Sequence, residues 1–119
     1  MSIILPDLSA VISGIISLGA NGGEQLFLPD IHTALYQMKQ HNRMLAGLWF
    51  SITGTVCYSR DTENVLRDLA SRGVVKIEVD SVVVKNSGGL RNRLNSMLPV
   101  RHYRRLLKTS RKFYARLGA

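Results

Sequence analysis

YSRDTENVLRDLASRGVVKIEVDSVVVKNSGG, from Tyr58 to Gly89, is the stretch on which the reading of the whole chain turns. Ser59 and Asp61 are both suited to cap a helix, because their side-chain oxygens can accept the free N–H groups of a first turn. Val65, Leu66 and Leu69 follow at helical spacing, and Ala70 widens the stripe. Gly73 stands where a left-handed terminal residue is least strained for glycine. Val75, Ile77 and Val79 then alternate with Lys76, Glu78 and Asp80, the period of a half-buried strand. Asp80-Ser81 supplies a tight turn, Val82-Val83-Val84-Lys85 returns, and Asn86-Ser87-Gly88-Gly89 closes the hairpin.

Upstream, Leu5-Pro6-Asp7 opens a first helix with Asp7 as its cap. Leu8, Val11, Ile12, Ile15 and Ile16 form its apolar stripe, Ser9, Ser13 and Ser17 lie elsewhere, and the run Gly19 to Gly23 ends it. No basic residue precedes Lys39, so a secretory leader is not expected here, and the serine-broken apolar run is too short for a bilayer. It reads as a core helix or a dimer-forming helix. Gln25 to Leu28 is a short strand, and Pro29-Asp30 starts a second helix with Ile31, Ala34, Leu35 and Met38 on one side. From Met44 to Cys57 helix and strand both stay open: Gly47 and Gly54 oppose one long helix, and the aromatic and β-branched residues favour extended chain.

Downstream, Leu90 to Leu98 is a short helix, and Pro99 either stops it or begins the next. From Val100 to Leu117 the chain reads VRHYRRLLKTSRKFYARL. Val100, Tyr103, Leu107, Ser110, Tyr114 and Leu117 recur three or four residues apart, flanked by Leu106 and Phe113, while seven Arg and Lys fill most of the rest. This is a basic amphipathic helix with interleaved tyrosines.

A capped helix followed by a hairpin, in this order, resembles the second half of a winged helix-turn-helix domain. The resemblance is one of pattern and rests on no signature motif. It implies an α+β, mainly helical fold: a winged-helix-like domain over 1–98 with a small antiparallel hairpin as wing, and an added basic helix over 99–119 packed on the same domain. The chain departs from that pattern between the second helix and Ser59. Helix-turn-helix motifs join their helices through a turn of about 3–4 residues, whereas here a strand or an extra helical turn must intervene.

The chain has 119 residues, 45% of them hydrophobic, enough for one domain with a core that needs neither disulfide nor metal. Cys57 is the single cysteine, so no internal disulfide can form, and cytoplasmic residence is the expectation. The net charge is +8, unevenly spread. Residues 1–80 hold six basic side chains and all eight acids, whereas residues 81–119 hold the other ten basic side chains and no acid. Such a one-sided segment attracts phosphates by counterion release, although a solubilising tail has the same composition.

No catalytic constellation assembles from the sequence. His32, His41 and His102 show no metal-ligand spacing, and Cys57 has no cationic neighbour to activate it. The Gly-Gly pairs lack the Lys and Thr of a phosphate loop. A non-enzyme without cofactor or metal is expected. Ser59, Arg60, Asn64 and Arg67 are suited to base edges or phosphates, yet Asp61, Glu63 and Asp68 share that helix and cancel its charge. A core helix with a solvated polar face fits it equally well. Backbone contacts are better sought at Lys85 on the wing, at Arg91 and Arg93, and on the last helix at Arg101, Arg104, Arg105, Lys108, Arg111 and Lys112. The expected function is a regulator or DNA-facing subunit that binds duplex DNA, with the first helix as a possible homodimer interface and no membrane partner. The alternatives are a protein-interaction module or scaffold subunit, and RNA binding through the last helix.

Overall fold

A computed structural model describes residues 7–54, 56–86 and 88–118. The expected helix start at Leu5-Pro6 and the Ser87 part of the expected hairpin end lie outside these residues. The fold is α+β, and among the described residues it has five helices, a three-stranded antiparallel sheet and a separate two-stranded hairpin.

Helix α1 (Leu8–Ser17) begins where Asp7 Oδ1 accepts the Ala10 N–H at 2.8 Å. Every residue from Val11 to Ser17 is buried, so α1 is an axle of the core and not a one-sided helix. Two features let its small residues go inside. Ser17 donates its hydroxyl to the Ser13 carbonyl at 2.7 Å, and a Cβ on Gly14 would lie 2.7 Å from Leu106 Cγ. This burial also leaves α1 no apolar face between Val11 and Ser17 with which to make the expected dimer interface.

Strand β1 (Gln25–Phe27) runs directly into α2 (Leu28–Lys39), whose Pro29 occupies the first turn, where its missing N–H costs nothing. Ile31, Ala34, Leu35 and Met38 are buried, as their spacing predicts. The segment before α3 holds both of the alternatives left open: a single 3-10 turn over Arg43–Leu45, capped by Asn42 Oδ1, and a hairpin of β2 (Ser51–Thr53) and β3 (Val56–Tyr58).

Helix α3 (Arg60–Ser71) is capped by Ser59, whose Oγ accepts the Thr62 N–H at 3.2 Å. Gly73, at φ +77°, takes the left-handed position that ends it, with the Val74 N–H reaching back to the Leu69 carbonyl. Strands β4 (Val75–Ile77) and β5 (Ser81–Val84) follow, and the sheet order is β1-β5-β4, with Leu26, Val82 and Ile77 in one row. The turn comes earlier than the alternation implied. Glu78 donates its N–H to the Ser81 carbonyl at 2.8 Å, so Val79 sits at the tip, fully exposed, and Ser81 already belongs to β5. Because β5 must pair with β1 as well, Phe27 against Ser81, it is the longer strand and draws the turn back.

Helix α4 (Gly88–Met97) starts on the two glycines expected to be turn residues. Pro99 then acts as both stop and start, since α4 ends at Met97 and α5 (Val100–Arg116) begins just after it. Helix α5 lies along α1. Its buried residues are Leu106, Thr109, Ser110, Phe113 and Tyr114, so the buried stripe is turned toward Leu106 and Phe113, and Val100 is left 64% exposed. Gly14 permits this packing, because the space left by its missing side chain on α1 is occupied by Leu106. Among the described residues no helix is long and apolar enough to cross a membrane.

Candidate nucleic-acid interface

The C-terminal end of α1 would leave several carbonyls unpaired, and the last two helices supply their donors. Ser110 donates its hydroxyl to the Ile15 carbonyl at 2.6 Å and accepts the Gly19 N–H at 2.8 Å. Tyr114 donates to the Ile16 carbonyl; burial, with a smaller push from the Glu24 carboxylate, raises its hydroxyl far above the ordinary value and keeps it a neutral donor. Arg91 Nη2 donates to the carbonyls of Leu18 at 3.2 Å and Ala20 at 3.0 Å. A guanidinium there also offsets the negative end of the helix dipole. These bonds fix the rotation of α5 about its axis, and so decide which of its cations face outward.

Facing outward, α5 forms one wall of a groove. Arg105, Lys108, Thr109 and Lys112 stand on that wall, and His41, Asn42, Arg43 and Met44 stand opposite, on the turn after α2. The groove continues past His41 and Lys112 to Arg116 and Met38. Asn42 Nδ2 donates to Thr109 Oγ1 at 3.1 Å, Thr109 donates to the Arg105 carbonyl at 2.9 Å, and Arg116 Nη1 donates to Gln37 Oε1 at 3.1 Å. The two walls are thus tied at the floor while Arg43, Arg105, Lys108 and Lys112 remain open to an anion. Among the described residues no Asp or Glu lines it. The ion pairs among the described residues both lie along α3 and its C-cap, Glu63–Arg67 at 3.5 Å and Asp68–Arg72 at 3.2 Å. A concave surface of one sign focuses its field, and guanidinium groups match phosphate oxygens in fork geometry.

The other expected contacts separate into three groups. Arg60, Asn64 and Arg67 share a shallow depression with Tyr58 and Glu63, and Glu63 pairs with Arg67. Arg93 lies beside Arg72, Asn86 and Gly89 at the end of α3, with Lys85 exposed nearby in sequence. Arg101, Arg104 and Arg111 are exposed along α5 outside the groove. Two residues are engaged inside the fold: Ser59 is buried as the cap of α3, and half-buried Arg91 turns its guanidinium into the end of α1. Glu78 and Asp80 are exposed on either side of Val79 at the tip of the β4–β5 hairpin, so that tip is acidic. Of the interleaved tyrosines, Tyr114 is buried and Tyr103 half-buried. Sequence reasoning missed His41, Asn42 and Arg43. Nothing in the linear order marks a turn after the second helix as the neighbour of the last one.

His32 is buried in α2 and its Nδ1 accepts the Ser59 N–H at 3.1 Å, while its buried Nε2 has no partner. Burial lowers its pKa below 6.5, opposed by the Glu63 carboxylate. A second proton would set N–H against N–H at the start of α3. The unfolded chain binds that proton more readily, so this contribution to stability is complete above the unfolded pKa of 6.5 and is lost as pH falls through it toward the lower folded value. Urea midpoints should therefore fall between neutral and mildly acidic pH, and His32→Gln should flatten that slope. An unchanged slope in the variant would assign it elsewhere.

No protein-family model, no curated protein and no solved structure matches this chain. Its function is therefore argued from its own geometry. Among the described residues no three His, Cys, Asp or Glu side chains are grouped to hold a metal ion.

Proposed function

We propose that this protein is a winged-helix-like nucleic-acid-binding protein that holds the phosphate backbone of duplex DNA in the groove between α5 and the turn at Arg43. The observation that carries the reading is the convergence of Arg43, Arg105, Lys108 and Lys112 on one concave surface that, among the described residues, no acid lines. The fold part is supported by the order α1-β1-α2-α3-β4-β5 and the strand order β1-β5-β4, with β4–β5 as the wing and β2–β3 as an insertion before α3. In this reading α3 and the acidic wing tip are poor phosphate contacts, and the added basic helix takes their place. A regulator, or the DNA-facing subunit of a larger system, would use such a surface.

About five phosphate contacts from Arg43, Arg105, Lys108, Lys112 and Arg116 would make log affinity fall with log salt at a slope of roughly −4 to −5. A fluorescence-anisotropy titration of duplex DNA at several salt concentrations measures this. Absent binding at low salt, or binding indifferent to salt, would remove the reading. Single-stranded RNA competing far better than duplex DNA would move it to RNA. The second reading, a protein-interaction module, is favoured by one observation: the exposed, uncharged hairpin β2–β3.

A further inference from the structure

Neither the core nor the basic groove accounts for the hairpin β2–β3. Its six strand residues are exposed except for half-buried Cys57. Ile52 is 54% exposed, Val56 63%, and Trp49, just ahead of the strand, 75%. β3 leans on α2, where the Tyr58 ring lies 5.1 Å from that of His32. β2 is the outer strand. Among the described residues it pairs with β3 alone, and no backbone hydrogen bond outside that pairing involves residues 49–54. Its outer edge therefore presents free N–H and C=O groups.

Two strands on their own are marginal in water, and native edges are commonly blunted by charge, proline or a covering segment. Among the described residues this edge has no such protection. From Ala46 to Ser59 the sequence AGLWFSITGTVCYS contains no charged residue and no proline.

We propose that β2 is a dimerisation edge: two copies of the chain pair antiparallel through Ser51–Thr53, about a two-fold axis at Ile52, and make one four-stranded sheet. An antiparallel edge is its own complement under two-fold rotation, with Ser51 of one copy opposite Thr53 of the other and Ile52 opposite Ile52. Charge selects the occupant. Two chains of +8 repel each other, and their tolerable contact is an exposed surface without charge. The other long uncharged stretch is buried from Val11 to Ser17, which leaves the hairpin. A partner recognised by charge would meet no charged side chain on it. The dimer also carries two basic grooves related by the same axis, as a duplex with two-fold symmetry requires. The inference stands on the hairpin alone and is independent of what the groove binds.

Sedimentation velocity of the full chain, from low to high micromolar concentration, tests it. The expected result is a monomer–dimer equilibrium that tightens with added salt, because screening weakens the repulsion; nucleic-acid binding has the opposite salt dependence. Trp49 is the sole tryptophan, so its emission should shift to the blue as the dimer forms. Ile52→Lys and, separately, Val56→Lys replace side chains more than half exposed. Each should keep the wild-type melting temperature, weaken association at least about tenfold (about 1.4 kcal/mol) and leave Trp49 emission solvent-like at all concentrations. A wild-type chain that stays monomeric throughout would overturn the proposal. So would a dimer indifferent to both substitutions, or a monomer whose Trp49 is shielded at every dilution, since the patch would then be covered from within its own chain.

Discussion

Phe113→Ala is expected to lower the stability of the protein by about 3–5 kcal/mol, the usual loss for emptying a buried phenylalanine site. Phe113 is completely buried and its ring meets that of Tyr114 edge-on at 5.3 Å. It stands between Ser110 and Tyr114, which hold the last carbonyls of α1, so the cavity would open under the joint between the two helices. Against a typical folding free energy of about 5–15 kcal/mol, this is a large fraction. A drop in melting temperature on the order of 10–20 °C should accompany it. Denaturant titration measures the loss directly. A change below about 1 kcal/mol, far less than a filled core site loses, would mean that α5 is not docked as described, and the groove it helps to form would lose its support.

The reason for this sensitivity lies in the composition of α5. Seven Arg and Lys on one helix repel one another and leave it little stability of its own. What holds the helix in place is its buried face: Leu106 in the space over Gly14, Phe113, and the hydroxyls of Ser110 and Tyr114. Apolar packing and buried hydrogen bonds thus hold a surface that electrostatics alone would disperse.

Much of this fold could be read from local chemistry. Asp7, Ser59 and Gly73 announce their helix ends because capping depends only on near neighbours, and the apolar spacing of α2 and α3 marks the faces that are buried. The charge asymmetry of the last third is visible in the same way, and α5 does carry a wall of the groove. What stayed hidden depends on contacts distant in sequence. The β4–β5 turn is moved by the pairing of β5 with β1, which no local alternation contains. The stripe of α5 includes Leu106, which packs over a glycine on α1, ninety-odd residues earlier, whose missing side chain matters only once Leu106 lies over it. Arg91 looks like any surface arginine until the orphaned carbonyls of Leu18 and Ala20 are found beside it. Arg43 is the reverse case: an isolated cation in a turn that becomes part of a cluster only through the position of α5.

Binding is therefore expected to fail when the groove is reversed and to survive when α3 is. Arg105→Glu/Lys108→Glu/Lys112→Glu removes three outward cations without touching the buried face of α5. Affinity for duplex DNA should fall by at least about 100-fold at low salt, and the salt slope should shrink by about 3, one for each lost phosphate contact. Arg60→Glu/Arg67→Glu alters a helix whose cations are already balanced by acids; affinity there should change by less than about threefold. Both proteins should unfold near the wild-type midpoint, because all five side chains are exposed. The deciding measurement is this pair of variants, titrated side by side with the wild type against one DNA duplex. Loss of binding in the α5 variant alone is the predicted result. Loss in the α3 variant with the α5 variant unaffected would contradict the account.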